Sequence, residues 1–479
     1  MKKLISIILI LTMFTSVIYP CQSVIAAEIK QNNALTVSEN IIKMTDEYNT
    51  EYEEKLDNSD SESITVDNRL IVETKSKINT YDSVDEVYGL GYAFIQFDNE
   101  EDTQKAAFQY KKQGLTVSND RIYNLNATSY ANFSNDEKWA YTFTESDTTV
   151  KYFKNKKLSD VTVGIIDSGI DYTHSLLKSR VLRTNTNFST SGNQNDEMDD
   201  QGHGTSCAGI IAQATTDNVK IQGFKAGSAD GHVYTSSLIC TYEYILNMNE
   251  KPDVINMSFG GYGKPLPTET QLLEELKKSG IALIASAGNE NLDTADSTPA
   301  NDENVFAVSA FDPNGVKCFF SNYGTTVDIA APGTNVYTSK LGGGYTNSFT
   351  GTSASAPFVS AAAAIVLMQN NTLTPDEVYE KIKASAFNTN KPADKLWAGA
   401  GLLNYFNLID GDRKSPVTFN YEGGQYDDTI KVELTSADRL NTKIIYTTDN
   451  TLPSASNGTK YSGPITIDTH ATIIAAAFP

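Results

Sequence analysis

Five short, almost uninterrupted apolar runs most constrain what this chain can fold into. They cover residues 161–166, 253–257, 281–286, 305–311 and 327–330. Strands that are buried on both faces have this composition, because helices cover both sides of their sheet. Helical patterns lie between several of the runs. The region therefore predicts an α/β domain built on a parallel sheet with helices on both faces.

Three reactive side chains stand at the ends of these predicted elements. Asp167 ends the first apolar run. His203 lies in a Gly-His-Gly-Thr segment and Ser353 in a Gly-Thr-Ser segment, each at the start of a predicted helix. Loops at the ends of strands are where an open α/β sheet builds its sites. The three residues are far apart in sequence, so only the fold could bring them together.

These residue types are the ones that amide hydrolysis requires. A hydroxyl must be activated by a base, and the base must be oriented by a carboxylate. Ser353, His203 and Asp167 can fill these three roles. Asn289 ends a further apolar run, and its amide together with the backbone N–H of Ser353 could stabilise an oxyanion.

The chain resembles the subtilisin-like serine proteases in five segments that occur in the family's order. The segments are VGIIDSGID (163–171), HGT (203–205), DVINMSFGG (253–261), ASAGNE (285–290) and GTSASAP (351–357). The resemblance covers residues 139–410. It implies a sheet of about seven parallel strands and a secreted serine endopeptidase that cleaves proteins or peptides through an acyl-enzyme.

The same resemblance implies a set of substrate-binding residues. Ser258, Phe259, Gly260 and Gly261 would supply backbone hydrogen bonds and one wall of a side-chain pocket, which Gly288 would border. Paired glycines allow an extended substrate to approach the backbone closely. Residues 233–241 are expected to form a strand that lines the outer subsites.

No cofactor is required by this chemistry, and no metal ligands are assigned. Members of the family often bind a structural calcium through an Asp that follows the catalytic one. Here the segment His174-Ser175-Leu176-Leu177 has Leu where that Asp is usual, although Asp217 and Asn218 remain in a second loop of the site. Hard cations need several oxygen ligands. Structural calcium is therefore an open alternative that the missing carboxylate disfavours.

The N-terminal part is predicted to be removed in two steps. Residues 1–27 have the basic start, apolar run and small final residues of a secretory signal peptide. Residues 28–68 read as an acidic leader or linker with a weak helical stripe formed by Ile41, Met44, Tyr48 and Tyr52. The protein is therefore expected to be secreted and to be extracellular or associated with a Gram-positive-like cell wall.

Residues 69–130 have the strand, helix and strand pattern of a small α+β unit. This unit looks like the family's propeptide, which implies a self-processing zymogen with its own propeptide as intramolecular inhibitor. Autocatalytic cleavage is expected between Leu125 and Trp139, and the peptidase domain is predicted to span residues 131–410.

Residues 416–479 alternate polar and apolar side chains in short runs, which predicts an all-β module. The pattern is similar to one incomplete copy of the immunoglobulin-like domains appended to chitobiases and other secreted bacterial enzymes. A spacer is the favoured role for it, and wall or sugar binding is the alternative.

The net charge limits the classes of partner that the chain can bind, and the cysteine count limits its disulfides. The formal net charge of −21 argues against nucleic acid and against an anionic membrane surface, and no membrane partner is expected after signal removal. Cys207, Cys240 and Cys318 are too few for a disulfide framework and are predicted to be buried and free. The acidic run 196–200 is expected to be a solvated loop that could favour basic substrates.

Two other functions stay open from the sequence. A catalytically inactive surface-binding protein is expected to have lost one of Asp167, His203, Asn289 or Ser353, and all four are present. A wall-anchored adhesin with a vestigial protease is the second alternative.

Overall fold

The computed structural model describes most of the chain between residues 65 and 409 and part of each flank. The described residues are 33–40, 65–125, 137–154, 156–387, 389, 394–409, 417–421, 429–435, 443–449, 451, 453, 457–469 and 471–478. The predicted signal peptide, the helical stripe from Ile41 to Tyr52, and residues 126–136, which make up most of the expected processing segment, lie outside these residues.

An N-terminal α+β unit comes first. Residues 33–40 form helix α1, and the following elements are β1 (Thr65–Glu73), β2 (Asp85–Gly89), β3 (Tyr92–Gln96), α2 (Glu100–Lys112) and β4 (Val117–Leu125). The strands form an antiparallel sheet in the order β4-β1-β3-β2.

Helix α2 lies where the sequence predicted a helix. Its first turn is acidic, its last turn carries lysines, and the side chain of Asn99 accepts the N–H of Asp102, all of which stabilise helix ends. Strand β1 begins four residues before the predicted boundary at residue 69, because Val66 packs with Ile122 and Tyr234. Strand β2 was not predicted.

The central region contains eight helices and twelve strands among the described residues. The helices are α3 (Trp139–Phe143), α4 (Ser146–Phe153), α5 (His203–Ala214), α6 (Thr235–Leu246), α7 (Pro267–Lys278), α8 (Thr352–Gln369), α9 (Pro375–Ser385) and α10 (Lys395–Ala398). The strands are β5 (Val161–Asp167), β6 (Val181–Leu182), β7 (Val219–Lys225), β8 (His232–Tyr234), β9 (Val254–Met257), β10 (Phe259–Tyr262), β11 (Ala282–Ser286), β12 (Ser297–Thr298), β13 (Phe306–Phe311), β14 (Val327–Pro332), β15 (Val336–Ser339) and β16 (Tyr345–Phe349).

A parallel sheet of seven strands organises this region, in the order β14-β13-β11-β9-β5-β7-β6. All five apolar runs of the sequence are strands of this sheet. Val163 and Ile165 pack in a core with α5 and α8, whereas Ile166 packs in a second core with α6 and α7. The predicted fold class is therefore confirmed, and burial on both faces explains the apolar composition of the strands.

Helix α8 runs through the first of these cores. It is long and apolar enough to cross a membrane by composition, but 94% of its apolar window is buried within the protein. Helix α9, which packs against it, begins at a capping box, in which Thr374 and Glu377 hydrogen-bond reciprocally.

The expectation of a strand over residues 233–241 was wrong for most of that segment. Strand β8 ends at Tyr234, and α6 begins at Thr235. The apolar residues Leu238, Tyr242 and Ile245 recur at helical spacing and pack in the second core. A helix is the better solution because it places these three side chains on one face.

A second sheet joins the N-terminal unit to the central region. Strand β4 lies between β8 and β10 and pairs antiparallel with both. Ile122 is opposite Tyr234, and Leu125 is opposite Phe259. The last strand of the N-terminal unit therefore occupies the gap between two strands that flank the candidate site.

The C-terminal region is all-β among its described residues, as predicted. Its strands are β17 (Thr418–Phe419), β18 (Ile430–Val432), β19 (Leu434–Thr435), β20 (Lys443–Thr447), β21 (Thr459–Lys460), β22 (Ile465–Ile467) and β23 (Ile474–Phe478). They pair antiparallel as β17-β19, β18-β22 and β21-β20-β23.

Candidate active site

Asp167 and His203 form a buried pair at the carboxyl end of the central sheet. Asp167 is the last residue of β5, and His203 is the first residue of α5. His203 Nδ1 is 2.9 Å from both carboxylate oxygens of Asp167, and the ring of Phe349 packs edge-on against the imidazole. A proton on Nδ1 that is held by the carboxylate leaves the lone pair on Nε2. His203 Nε2 has no hydrogen-bond partner among the residues that the structure describes.

Ser353 lies beside this pair, in the first turn of α8. Its hydroxyl donates to the carbonyl oxygen of Ser258 at 2.9 Å. Cys207 Sγ is 3.8 Å from His203 Nδ1 and 3.6 Å from the carbonyl oxygen of Ser353, which places both candidate catalytic residues around one thiol. The structure therefore brings Asp167, His203 and Ser353 together, with the Ser353 hydroxyl directed at Ser258.

Asn289 is connected to the same helix end through Thr352. Asn289 Oδ1 accepts the backbone N–H of Thr352 at 2.8 Å and its hydroxyl at 3.0 Å. Because a backbone N–H can only donate, this contact identifies which atom of the side-chain amide is the oxygen. The NH₂ group of Asn289 is therefore directed away from the backbone N–H of Thr352. Thr352 was not singled out by sequence reasoning, although it stands inside the Gly-Thr-Ser motif.

The acidic run 196–200 is not a solvated loop, because part of it stabilises the start of α5. Asp199 is 4% exposed, and its carboxylate accepts the N–H groups of Gly202 at 2.8 Å and Thr205 at 2.9 Å. The first N–H groups of a helix lack partners within the helix and favour an anion. Asp199 therefore holds the turn that presents His203.

A buried lysine, which sequence reasoning missed, supports the turn after Asp167. Lys225 ends β7 directly beside Asp167, and its Nζ donates to the carbonyl oxygen of Ser168 at 2.7 Å. The ammonium is paired with the carboxylate of Asp200. A lysine at the end of a strand carries no motif, so only the strand pairing could have revealed this contact.

The predicted substrate-binding segment is strand β10 and the residue before it. Phe259 and Gly260 pair antiparallel with Leu125 and Asn124 of β4. A Cβ atom on Gly261 would lie 2.6 Å from the ring of Tyr123, so a larger residue would exclude the strand that now lies there.

Gly288, which was predicted to border the pocket, lies next to Asn289. It has a positive φ of 104°, and its N–H donates to the hydroxyl of Thr352 at 3.1 Å. A side chain at this position would collide with Asn322. The glycine therefore permits the turn that sets Asn289 against Thr352.

The three cysteines beyond the signal are free and buried, as predicted. Burial, with a smaller contribution from the charge of Asp167, raises the pKa of Cys207 well above its usual value. The thiol beside the site is therefore held in its neutral form, and packing is its evident role.

The leucines and the asparagine named for calcium make other contacts. Leu176 and Leu177 pack with the apolar core, and the amide nitrogen of Asn218 donates to Asp160 at 3.0 Å. Arg180 instead donates to backbone carbonyl groups of the same region, those of Ala212 and Val219. Burial lowers the pKa of Arg180 to about 10, so the guanidinium stays charged near neutral pH.

Replacing Arg180 by methionine is expected to destabilise the protein by about 2–4 kcal/mol, because a buried carbonyl that loses its donor costs about 1–3 kcal/mol. Urea unfolding followed by circular dichroism would measure the change, in a Ser353→Ala background that prevents self-digestion. Lys178→Met is the matched control, since Lys178 is exposed on the same segment. Equal stability of the two variants would contradict the structural role of Arg180.

Comparison with known proteins agrees with this geometry. The model of the "Subtilase family" matches residues 159–406, and that of the "Chitobiase/beta-hexosaminidase C-terminal domain" matches residues 421–479. Subtilisin DY of Bacillus licheniformis is 32% identical over 52% of this chain and 90% of its own length.

Two further relatives are matched over half of their own length or less. Alkaline serine exoprotease A of Vibrio alginolyticus is 30% identical over 54% of this chain and 48% of its own length. The cell wall-associated protease of Bacillus subtilis (strain 168) is 32% identical over 48% of this chain and 26% of its own length.

Among solved structures, a cold adapted subtilisin-like serine proteinase is 30% identical, with a TM-score of 0.48 over 52% of this chain and 89% of its own. The family model covers about half of the chain, and this chain covers nine-tenths of subtilisin DY. The protein belongs to the subtilase family.

Proposed function

We propose that this protein is a secreted serine endopeptidase that hydrolyses peptide bonds through an acyl-enzyme intermediate. The observation that carries the proposal is the buried His203–Asp167 pair, whose second imidazole nitrogen has no partner among the described residues. Cys207 contacts both His203 and Ser353, which brings the candidate nucleophile near this pair. A histidine held in this tautomer can act as a general base that accepts the proton of a serine hydroxyl.

The reaction begins when the Ser353 hydroxyl leaves the carbonyl of Ser258 and attacks the substrate carbonyl carbon. Its proton passes to His203 Nε2, and Asp167 stabilises the imidazolium. The C–N bond then breaks as His203 donates the proton to the leaving amine, which leaves an ester on Ser353. Water activated by His203 attacks this ester and releases the acid product.

The negative oxygen of each tetrahedral intermediate needs donors that are already in place. We assign this role to the amide NH₂ of Asn289 and the backbone N–H of Ser353. Two features support the assignment: the amide oxygen is anchored on Thr352, and Ser353 lies at the positive end of an 18-residue helix. Each proton transfer uses a side chain of this chain, and we propose no cofactor.

The N-terminal unit is proposed to be the inhibitory propeptide of a self-processing zymogen. Strand β4 is hydrogen-bonded on both sides, to β8 and β10, as an extended substrate would be. The carboxylate of Asp120 in β4 accepts the N–H of Ser236 at the start of α6, which adds a second attachment. Cleavage between Leu125 and Trp139 would free the cleft for proteins or peptides.

A secreted or wall-associated location fits this function. The predicted signal peptide supports it, and one relative is named a cell wall-associated protease. The chitobiase-like module is proposed to be a spacer, with wall or sugar binding as the alternative. The acidic charge leaves nucleic acid and membranes outside the proposed partners.

Activity is expected to fall reversibly on acidification, because protonation of His203 Nε2 removes the lone pair that accepts the proton of Ser353. As the pH is lowered and the imidazole is protonated, kcat/KM is expected to fall by up to about tenfold per pH unit, and to level off as the pH is raised. A peptide substrate without titratable groups, measured from about pH 5 to 9, gives the profile.

Circular dichroism at each pH is the control for unfolding. A flat profile from about pH 5 to 8 in the folded protein would contradict the assignment of His203 as the base.

A further inference from the structure

A tyrosine of the N-terminal unit reaches a buried carboxylate of the peptidase domain. Tyr123 of β4 is 1% exposed, and its hydroxyl lies 2.7 Å from Glu269 Oε1 and 2.9 Å from Oε2. Its ring packs at a tilt on Phe259, with centroids 6.1 Å apart. Phe259 is thus an aromatic wall of the pocket that Tyr123 fills, and Glu269 is an acceptor at its far end.

The register of β4 relates this pocket to the candidate nucleophile. Leu125 is opposite Phe259 and Asn124 is opposite Gly260, and the ring of Tyr123 lies against Gly261. A substrate in the same register would place its next residue opposite Ser258, whose carbonyl accepts the Ser353 hydroxyl. The pocket therefore receives the side chain three positions before the residue that faces Ser258.

Glu269 is held in place independently of Tyr123. It lies in the first turn of α7, and Oε2 accepts the backbone N–H of Leu266 at 3.0 Å. Its 3% exposure gives water little access, and burial raises the pKa of Glu269. The contact with Leu266 at the start of its own helix thus sets the position of the Glu269 carboxylate. Its oxygens can accept a further hydrogen bond from the side chain that fills the pocket.

We propose that Glu269 determines substrate specificity by selecting tyrosine over phenylalanine at this position. The inference rests on the proposed peptidase function. The phenol of a tyrosine fills the pocket beside Phe259 and donates a hydrogen bond to the buried Glu269 carboxylate. The phenyl ring of a phenylalanine fills the same space but leaves the carboxylate without that hydrogen bond. Sites built to bond a hydroxyl reject the analogue that lacks it far more strongly than apolar pockets distinguish sizes.

The test compares two peptides that differ by one oxygen atom. Their sequences are Tyr-Asn-Leu-Asn, which is that of residues 123–126, and Phe-Asn-Leu-Asn, each acetylated and joined to a fluorogenic amide. With enzyme obtained from the full chain, kcat/KM is expected to be on the order of 10- to 100-fold higher for the tyrosine peptide. Glu269→Leu is expected to bring this ratio close to one or below it.

The ratio within one preparation does not depend on how much enzyme folded, so a destabilised variant still reports on specificity. Glu274→Leu is the matched control, since Glu274 is an exposed residue of the same helix, and it should keep the wild-type ratio. Tyr123→Phe in the full chain adds a second measurement. It should weaken retention of the cleaved N-terminal unit by a factor similar to the peptide ratio, and only when Glu269 is present.

Equal rates for the two peptides in the wild type, or an unchanged ratio in Glu269→Leu, would overturn the role of Glu269 and leave the peptidase function intact. Absence of hydrolysis of both peptides and of any protein substrate would instead be a failure of the proposed function.

Discussion

Ser353→Ala is expected to lower kcat by about 10⁶-fold, the usual scale for removing the nucleophile of a serine-protease triad. Alanine has no oxygen to form the acyl-enzyme, so the residual rate would come from the oxyanion donors and substrate binding alone. The same change should stop release of the N-terminal unit, because the proposed cleavage uses the same nucleophile.

Mass spectrometry of the purified protein would show whether residues 28–125 remain attached after signal removal, and a fluorogenic peptide would give the rate. A fluorophosphonate probe reports the nucleophile directly, since it modifies only an activated serine. Ser348→Ala, an exposed serine of β16, is the matched control and should mature and react normally. Self-maturation of Ser353→Ala, or its labelling by the probe, would contradict the assignment.

The sheet and the central residues of the site could be predicted because both leave local signals. Strands buried on two faces are apolar along their whole length, as residues 161–166 and 281–286 show. Asp167, His203 and Ser353 stand within two residues of a glycine at the end of a strand or the start of a helix, where a parallel sheet collects its functional loops. Strand β7 was missed because Lys220 and Gln222 interrupt its apolar residues.

The contacts that position the site could not be predicted, because they join residues that are distant in sequence. Tyr123 and Glu269 are 146 positions apart, and no local motif connects them. The same is true of Lys225, whose burial follows from its place beside Asp167 in neighbouring strands. The run that contains Asp199 was predicted to be solvated because acidic runs usually are, whereas here the N–H groups at a helix start donate to the Asp199 carboxylate.

Three side chains determine the orientation of the His203 imidazole: Asp199, Asp167 and Lys225. Asp199 fixes the backbone that carries His203, and Lys225 fixes the turn after Asp167. Of these three side chains, Asp167 is the one that hydrogen-bonds His203 Nδ1, so it can also decide which ring nitrogen holds the proton. A substitution of Asp167 by a residue of the same shape therefore changes the tautomer of His203 without changing the packing around it.

Asp167→Asn is expected to lower kcat about 10⁴-fold without changing the fold, which is the usual loss when the triad carboxylate becomes an amide. The amide NH₂ can donate to Nδ1, which stabilises the tautomer with its proton on Nε2. That proton occupies the site that must accept the proton of Ser353, so the base is lost although every side chain stays in place. Peptide hydrolysis and the rate of fluorophosphonate labelling should fall together, because both depend on the same activated hydroxyl. Asp217→Asn, at an exposed position, is the control and should retain the wild-type rate. Wild-type kinetics in a folded Asp167→Asn variant would mean that the carboxylate does not set the tautomer of His203.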